Sequence, residues 1–211
     1  MKKSVDQQTI VSDPNARVAL TVIKAADDGC FFIGSSEKGQ GDAGPSYENI
    51  YRQLNLGLEN TQSRYVLWFG GDDVMNPGMI QQLYEKAETE HAAIVYCNYE
   101  LMTADERHQQ YVYLNSSYNW EAHCQHPHYP DVCLIRRKVL QEMCGWDVSR
   151  GRYAMWWLWL QIGRHYGSQI YHVPFCGFRY RIHDGGMHFK AHPDERAKFM
   201  KFVDKWSKDA K

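Results

Sequence analysis

The stretch Tyr65-Val-Leu-Trp-Phe-Gly-Gly-Asp-Asp-Val-Met-Asn-Pro-Gly78 constrains the chain more than any other. Tyr65 to Phe69 is an apolar run of buried-strand length that stops at two glycines, and Asp72 and Asp73 follow at once. Asn76-Pro77 then reads as an N-cap followed by proline in the first turn of a helix. Two adjacent carboxylates at the end of a buried strand repel unless water or a cation screens them. A divalent metal holding a phosphate-bearing ligand answers that need. Helix capping by one of the pair is the competing use.

The surrounding pattern places this stretch in an α/β domain. Gln8 to Ser12 reads as a strand, Ala16 to Ala26 has helical apolar spacing, and Cys30 to Ile33 reads as a second strand. A polar loop with four glycines, Gly34 to Pro45, follows. Ile50, Leu54 and Leu58 mark a helix over 47–60, and Ile80, Leu83, Tyr84 and Ala87 mark another after Pro77. With Ala92 to Cys97 as a further strand, the first 98 residues alternate strand and helix, which predicts a mostly parallel sheet flanked by helices. Further on, Tyr111 to Leu114 reads as a strand, 115–131 as a polar, histidine-rich loop, and Val132 to Ile135 as a strand. Arg137 to Met143 forms a short helix closed by Gly145, and Ala154 to Tyr166 a tryptophan-rich one. Gln169 to Val173 and Cys176 to Arg181 read as two strands, and a charged helix runs from Pro193. The organisation is one domain: an α/β half over 1–98, a less regular half over 99–192, and a C-terminal helix over 193–211.

Composition narrows the function classes. With 211 residues and a net charge of −1, the chain has room for a substantial core and no basic field for nucleic acid. No apolar run is long enough to span a bilayer and the first residues lack a signal-peptide core, so a soluble, cytoplasmic protein is expected. The six cysteines form no Cys-x-x-Cys pair and read as buried thiols. His123, Cys124, His126, His128 and Cys133 gather candidate metal ligands, but their spacing fits no standard zinc pattern. A polymerase palm reading of Gly71-Asp72-Asp73 fails on chain length and charge.

Five segments in order resemble the family-two glycosyltransferases of GT-A fold. The helix over 47–60 leading into Tyr65 to Asp73 resembles the family's approach to its acidic metal motif. Asn76-Pro77-Gly78 resembles the turn after it, and Leu134 to Leu140 with Gly145-Trp-Asp147 resembles the segment before the catalytic helix. Trp157-Leu-Trp-Leu160 resembles the core of that helix, and Tyr180-Arg-Ile-His183 the closing motif.

The resemblance implies transfer of a sugar, with inversion, from a nucleotide-diphosphate donor to a hydroxyl of a glycan, lipid-linked or other acceptor. It implies a divalent cofactor, Mn or Mg, bound with the donor. Asp72, Asp73 and His183 are its implied ligands, with Asp72 the better placed of the two acids. Ser35 (with Ser36), Glu37, Asp72 and Arg181 are the implied donor contacts, Glu37 near the base or ribose and Arg181 facing the diphosphate. Loop solvation for Glu37 and a surface hairpin for His183 remain open readings.

Three acidic positions of the family pattern are absent. Phe32 to Glu37 lacks the first loop's aspartate, Gly70 stands where the metal motif begins, and the base position falls at Ala154-Met155. No Asp or Glu occurs from Val148 to His183. A GT-A domain that binds a nucleotide sugar or glycan without turnover is therefore the alternative. Of Trp156, Trp157 and Trp159, one is a candidate to line an acceptor pocket. The C-terminal helix, with seven basic against four acidic residues from Lys190 onward and an aromatic stripe, could rest on a membrane surface or pack on the domain.

Overall fold

A computed structural model describes residues 5–11, 18–25, 29–36, 47–59, 63–70, 73–114, 116–183 and 193–208, with side chains from 47 onward except 49 and 53. Strands β1 (Val5–Val11), β2 (Val18–Ala25) and β3 (Gly29–Ser36) form an antiparallel sheet in that order. The helix expected over Ala16 to Ala26 is thus a strand. Val18, Thr21, Val22 and Ile23 are β-branched, and that stiffness at χ1 outweighs the helical spacing of the apolar residues.

Helix α1 (Tyr47–Glu59) packs beside this sheet, and β4 (Tyr65–Leu67), β5 (Val74–Met75) and α2 (Met79–Thr89) follow. Next come β6 (Ile94–Thr103), β7 (His108–Val112), α3 (Trp120–Gln125), β8 (Cys133–Arg136) and α4 (Arg137–Glu142). A 3-10 turn over Val148–Tyr153 leads into α5 (Ala154–Tyr166), then β9 (Ile170–Ile182) and α6 (Pro193–Lys208). The second sheet runs β4-β8-β6-β9-β5, with β7 on the far half of β6.

The domain is α/β as expected, but the sheet is mixed rather than mostly parallel. Among the described strands only β6 and β9 run parallel; the other pairs are antiparallel. The two strands expected near the C-terminus are one. β9 passes through Pro174, where the ladder jumps from Cys97↔Val173 to Asn98↔Cys176. That bulge absorbs the residue that has no N–H to give. Within the loop expected over 115–131, Asn119 caps α3 by accepting from the Ala122 N–H at 2.7 Å.

The core forms on both faces of the larger sheet. On one, Ile50, Leu54 and Leu58 of α1 meet Ile94, Tyr96, Leu140, Trp146 and Trp159. Asn55 fixes this contact, donating to the Trp146 carbonyl and accepting its N–H, both at 2.8 Å. On the other face Tyr65, Leu67 and Phe69 meet Met79, Leu83, Val95 and Phe178. Each such side chain contributes roughly 1.5–3 kcal/mol when fully buried.

A third cluster joins α5 to α6. Phe199, Phe202 and Trp206 pack against Trp156, Trp157, Tyr153 and Trp120. The Arg150 guanidinium lies 3.9 Å from the Phe202 ring centre, and Arg164 lies 4.6 Å from that of Trp206. The aromatic stripe of α6 therefore faces the domain. Trp156, Trp157 and Trp159 are all buried. Among the described residues no helix is long and apolar enough to cross a membrane.

Candidate functional site

The segment after β4 is held against β9 residue by residue. Val74 pairs with Arg179 and Met75 with Phe178, and the Asn76 N–H donates to Gly177 O at 2.8 Å. The Asn76 side chain donates to Cys176 O at 2.9 Å instead of capping a helix. Pro77 and Gly78 then form a type II turn: Gly78 has φ 82°, ψ −4°, and the Met79 N–H closes on Asn76 O at 3.2 Å. Helix α2 starts at Met79 with Gly78 at its N-cap position, two residues later than the Asn76-Pro77 reading implied.

Asp73 is part of the same attachment. Its Oδ1 accepts the backbone N–H of Arg181 at 2.9 Å, which brings the acidic motif and the closing motif into contact. The Arg181 guanidinium meets the β6–β7 hairpin. It donates to Ala104 O at 2.7 Å and pairs with Glu106 at 3.0 Å, so it braces the β6–β7 hairpin. His183 lies just past the end of β9 and is half-buried. Ser35 lies in β3, its side chain outside the described residues, and Glu37 and Asp72 lie wholly outside them.

The strand registers define which other residues reach this edge of the sheet. β8 runs antiparallel to both β4 and β6, with Leu67↔Leu134 and Tyr96↔Cys133. Continuing both ladders outward sets Asp131 level with Gly70 on one side and Asn98 on the other. The β8 chain therefore enters the sheet at the end of β4 and beside the middle of β6, which continues to Thr103 paired with β9 and β7. In an open α/β sheet that edge is where ligands bind.

A group of polar side chains gathers around Asp131. Tyr47 and Tyr51 stack on α1, ring centres 6.5 Å apart, with the Arg152 guanidinium 5.5 Å from the Tyr47 ring centre. Burial raises the Tyr51 phenol well above its usual range, the Asp131 charge adds to this, and a hydrogen bond to the Met155 backbone opposes it. Tyr99 feels burial first and the same carboxylate second. Asp131 itself is exposed, yet surrounding protein desolvates its carboxyl and pushes it up to about 6.

At the base position, Ala154 and Met155 are 0% and 2% exposed, so α5 opens with apolar residues packed into the core. The histidine–cysteine cluster does not hold a metal set either. His123 is buried, its Nδ1 3.1 Å from the Tyr118 hydroxyl, among the rings of Tyr129, Trp156 and Trp159. Desolvation lowers its pKa to about 3, so it is neutral. Among the described residues no three His, Cys, Asp or Glu side chains converge as metal ligands. Of the implied metal ligands, Asp73 accepts the Arg181 amide through Oδ1, His183 lies past the end of β9, and Asp72 lies outside the described residues.

Of the residues singled out along the sequence, Asp73 and Arg181 are in contact and His183 lies two residues further on; Asp131, Tyr47, Tyr51 and Arg152 are not among them. One signal was available for Asp131: like Asp72, it is a carboxylate abutting the end of an apolar strand, Val132 to Ile135.

A mixed sheet with helices on its faces and an acidic strand edge has the GT-A-like fold of glycosyltransferases. The model of the family described as "Glycosyl transferase family 2" matches residues 45–144, just under half of the chain. No curated protein matches the sequence. Among solved structures, S. aureus TarS 1-349 is similar with a TM-score of 0.51 and 8% identity, over 72% of this chain and 43% of that one. The same fragment in complex with UDP gives a TM-score of 0.52 and 9% identity, over 75% and 45%. In complex with UDP-GlcNAc it gives 0.51 and 10%, over 71% and 44%. The chain thus spans less than half of the TarS fragment it resembles, and identity this low speaks for the fold alone.

Proposed function

We propose that the chain is a glycosyltransferase that moves a sugar from a nucleotide-diphosphate donor to an acceptor hydroxyl, with inversion at the sugar. The family match over 45–144 carries this reading, because that segment contains the acidic strand edge. The donor would lie along the edge formed by the end of β4, the middle of β6 and the start of β8. Donor contacts are assigned to Ser35, Glu37 and Asp72. Arg181, whose guanidinium also engages Ala104 and Glu106, is assigned to the diphosphate.

A divalent cation, Mn or Mg, would neutralise charge on the diphosphate when bound, and Asp72 is the residue on which that assignment rests, with Asp73 and His183 beside it in the motif and at the end of β9. Because the TarS fragment has been solved with UDP and with UDP-GlcNAc, UDP-GlcNAc is the first donor to try. The acceptor is a glycan or lipid-linked hydroxyl reached in a cytoplasmic setting. Calorimetry of UDP with Mn²⁺ tests the donor site: the wild type binds and Asp72→Ala does not, while both melt alike. Equal affinity in the two proteins contradicts it.

The buried apolar pair Ala154-Met155 favours a second reading, a GT-A domain that binds a nucleotide sugar or glycan without turnover. It predicts intact donor binding with no release of nucleoside diphosphate.

A further inference from the structure

The reaction proposed above needs a group to take the acceptor's proton, and the position where the family pattern carries that group is apolar and buried. The structure supplies a carboxylate by another route. Asp131 comes from the chain entering β8, and the β4 and β6 registers set it level with Gly70 and Asn98, at the sheet edge assigned to the donor. Tyr51 links it to the vacated position, since the phenol interacts with the Asp131 carboxylate and hydrogen-bonds to the Met155 backbone. Asp131 is exposed to solvent, as a base that meets an acceptor must be.

We propose that Asp131 is the catalytic base of this chain, standing in for the carboxylate that α5 lacks. The assignment rests on the transferase reading. In the step it performs, the acceptor oxygen attacks the anomeric carbon of the donor sugar and its proton passes to an Asp131 carboxylate oxygen. The new C–O bond forms as the bond from the anomeric carbon to the diphosphate oxygen breaks, and that oxygen leaves with the electron pair. The products are the inverted glycoside, the nucleoside diphosphate and a protonated Asp131.

The groups facing Asp131 suit this role. Tyr47 and Tyr51 approach from α1, Tyr99 from β6 and Cys133 from β8. Arg152, beside Tyr47, is the cation of the group. The phenols and the thiol are held neutral by burial, so they desolvate the carboxylate without adding charge. A carboxyl titrating near 6 is ionised at pH 7 and still a stronger base than an ordinary aspartate.

The test uses the full chain, UDP-GlcNAc and Mn²⁺, with UDP release followed from pH 5 to 9 for the wild type, Asp131→Asn and Asp131→Glu. UDP affinity is measured on each as the check that the variant is folded and holds donor. Expected are a wild-type rate that climbs through about pH 6 and a loss of about 100-fold or more in Asp131→Asn at unchanged UDP affinity. Asp131→Glu is expected to recover part of the rate. Asp131→Asn turning over within about threefold of the wild type overturns the assignment while leaving the transferase reading intact. A parallel loss of UDP affinity also overturns it, since Asp131 would then be a donor contact. A wild type that binds UDP and releases none from UDP-GlcNAc or other nucleotide sugars removes the transferase reading, and this assignment with it.

Discussion

Asp73 Oδ1 and the backbone N–H of Arg181, 108 residues apart in the chain, are 2.9 Å apart in the fold. This one hydrogen bond joins the acidic motif to the closing motif, so part of Asp73's hydrogen-bonding capacity is structural. Asp73→Ala should therefore cost about 1–3 kcal/mol, the range for removing a charged partner from an amide. Asp73→Asn keeps an acceptor and should lose less than half of that. Urea unfolding of the three proteins checks both values.

Gly163 sits on the face of α5 that meets Tyr118. A methyl group there would overlap the Tyr118 hydroxyl and ring, which pack against Trp159. Gly163→Ala should destabilise by roughly 1–3 kcal/mol despite alanine's better helix propensity. Pairing it with Tyr118→Leu should recover most of the loss, and thermal unfolding reads both.

His123 makes the fold sensitive to acid. Its pKa is depressed from 6.5 to about 3 by burial, so the folded chain keeps it neutral while the unfolded chain protonates it. The stability this leaves intact above pH 6.5 is lost as pH falls from 6.5 toward 3. By pH 4.5 the loss from this residue should reach about 2–3 kcal/mol. His123→Phe should flatten that limb of a stability–pH curve measured by urea unfolding.

Asp131 has the opposite sign. Its folded pKa, about 6, lies above the ordinary 3.8, so the ionised form is disfavoured in the fold and stability falls as pH rises from 4 to 6. Asp131→Asn should melt above the wild type at pH 7.5, and the two should converge below pH 4. A stabilising loss of a site carboxylate is the common trade between stability and activity.

Much of the fold was legible because local signals agreed with tertiary ones. The apolar stripe Ile50, Leu54 and Leu58 marked α1, and α5 begins and ends where its pattern does, at Ala154 and Tyr166. β2 was misread because Val18 to Ala25 carries a helical spacing in β-branched residues, and pairing on both sides decided for the strand. Asn76 was misread because its amide finds Cys176, a partner 100 residues away. The site divides the same way. Asp73 and His183 belong to motifs readable along the chain. The group of Tyr47, Tyr51, Asp131 and Arg152 draws on three separate segments, and only the folded sheet brings these together. The neutral state of His123 depends on aromatic rings from the segment before α3, from α5 and from the loop before β8, which no spacing rule encodes.

The central claim is sugar transfer, and release of nucleoside diphosphate tests it most directly. Purified chain is incubated with a panel of nucleotide sugars that includes UDP-GlcNAc, together with mixed glycan and lipid-linked acceptors, with and without Mn²⁺. The account predicts release of the diphosphate from at least one donor, faster with Mn²⁺ and dependent on acceptor. Donor binding without release across the whole panel would contradict it and leave the non-catalytic reading in its place.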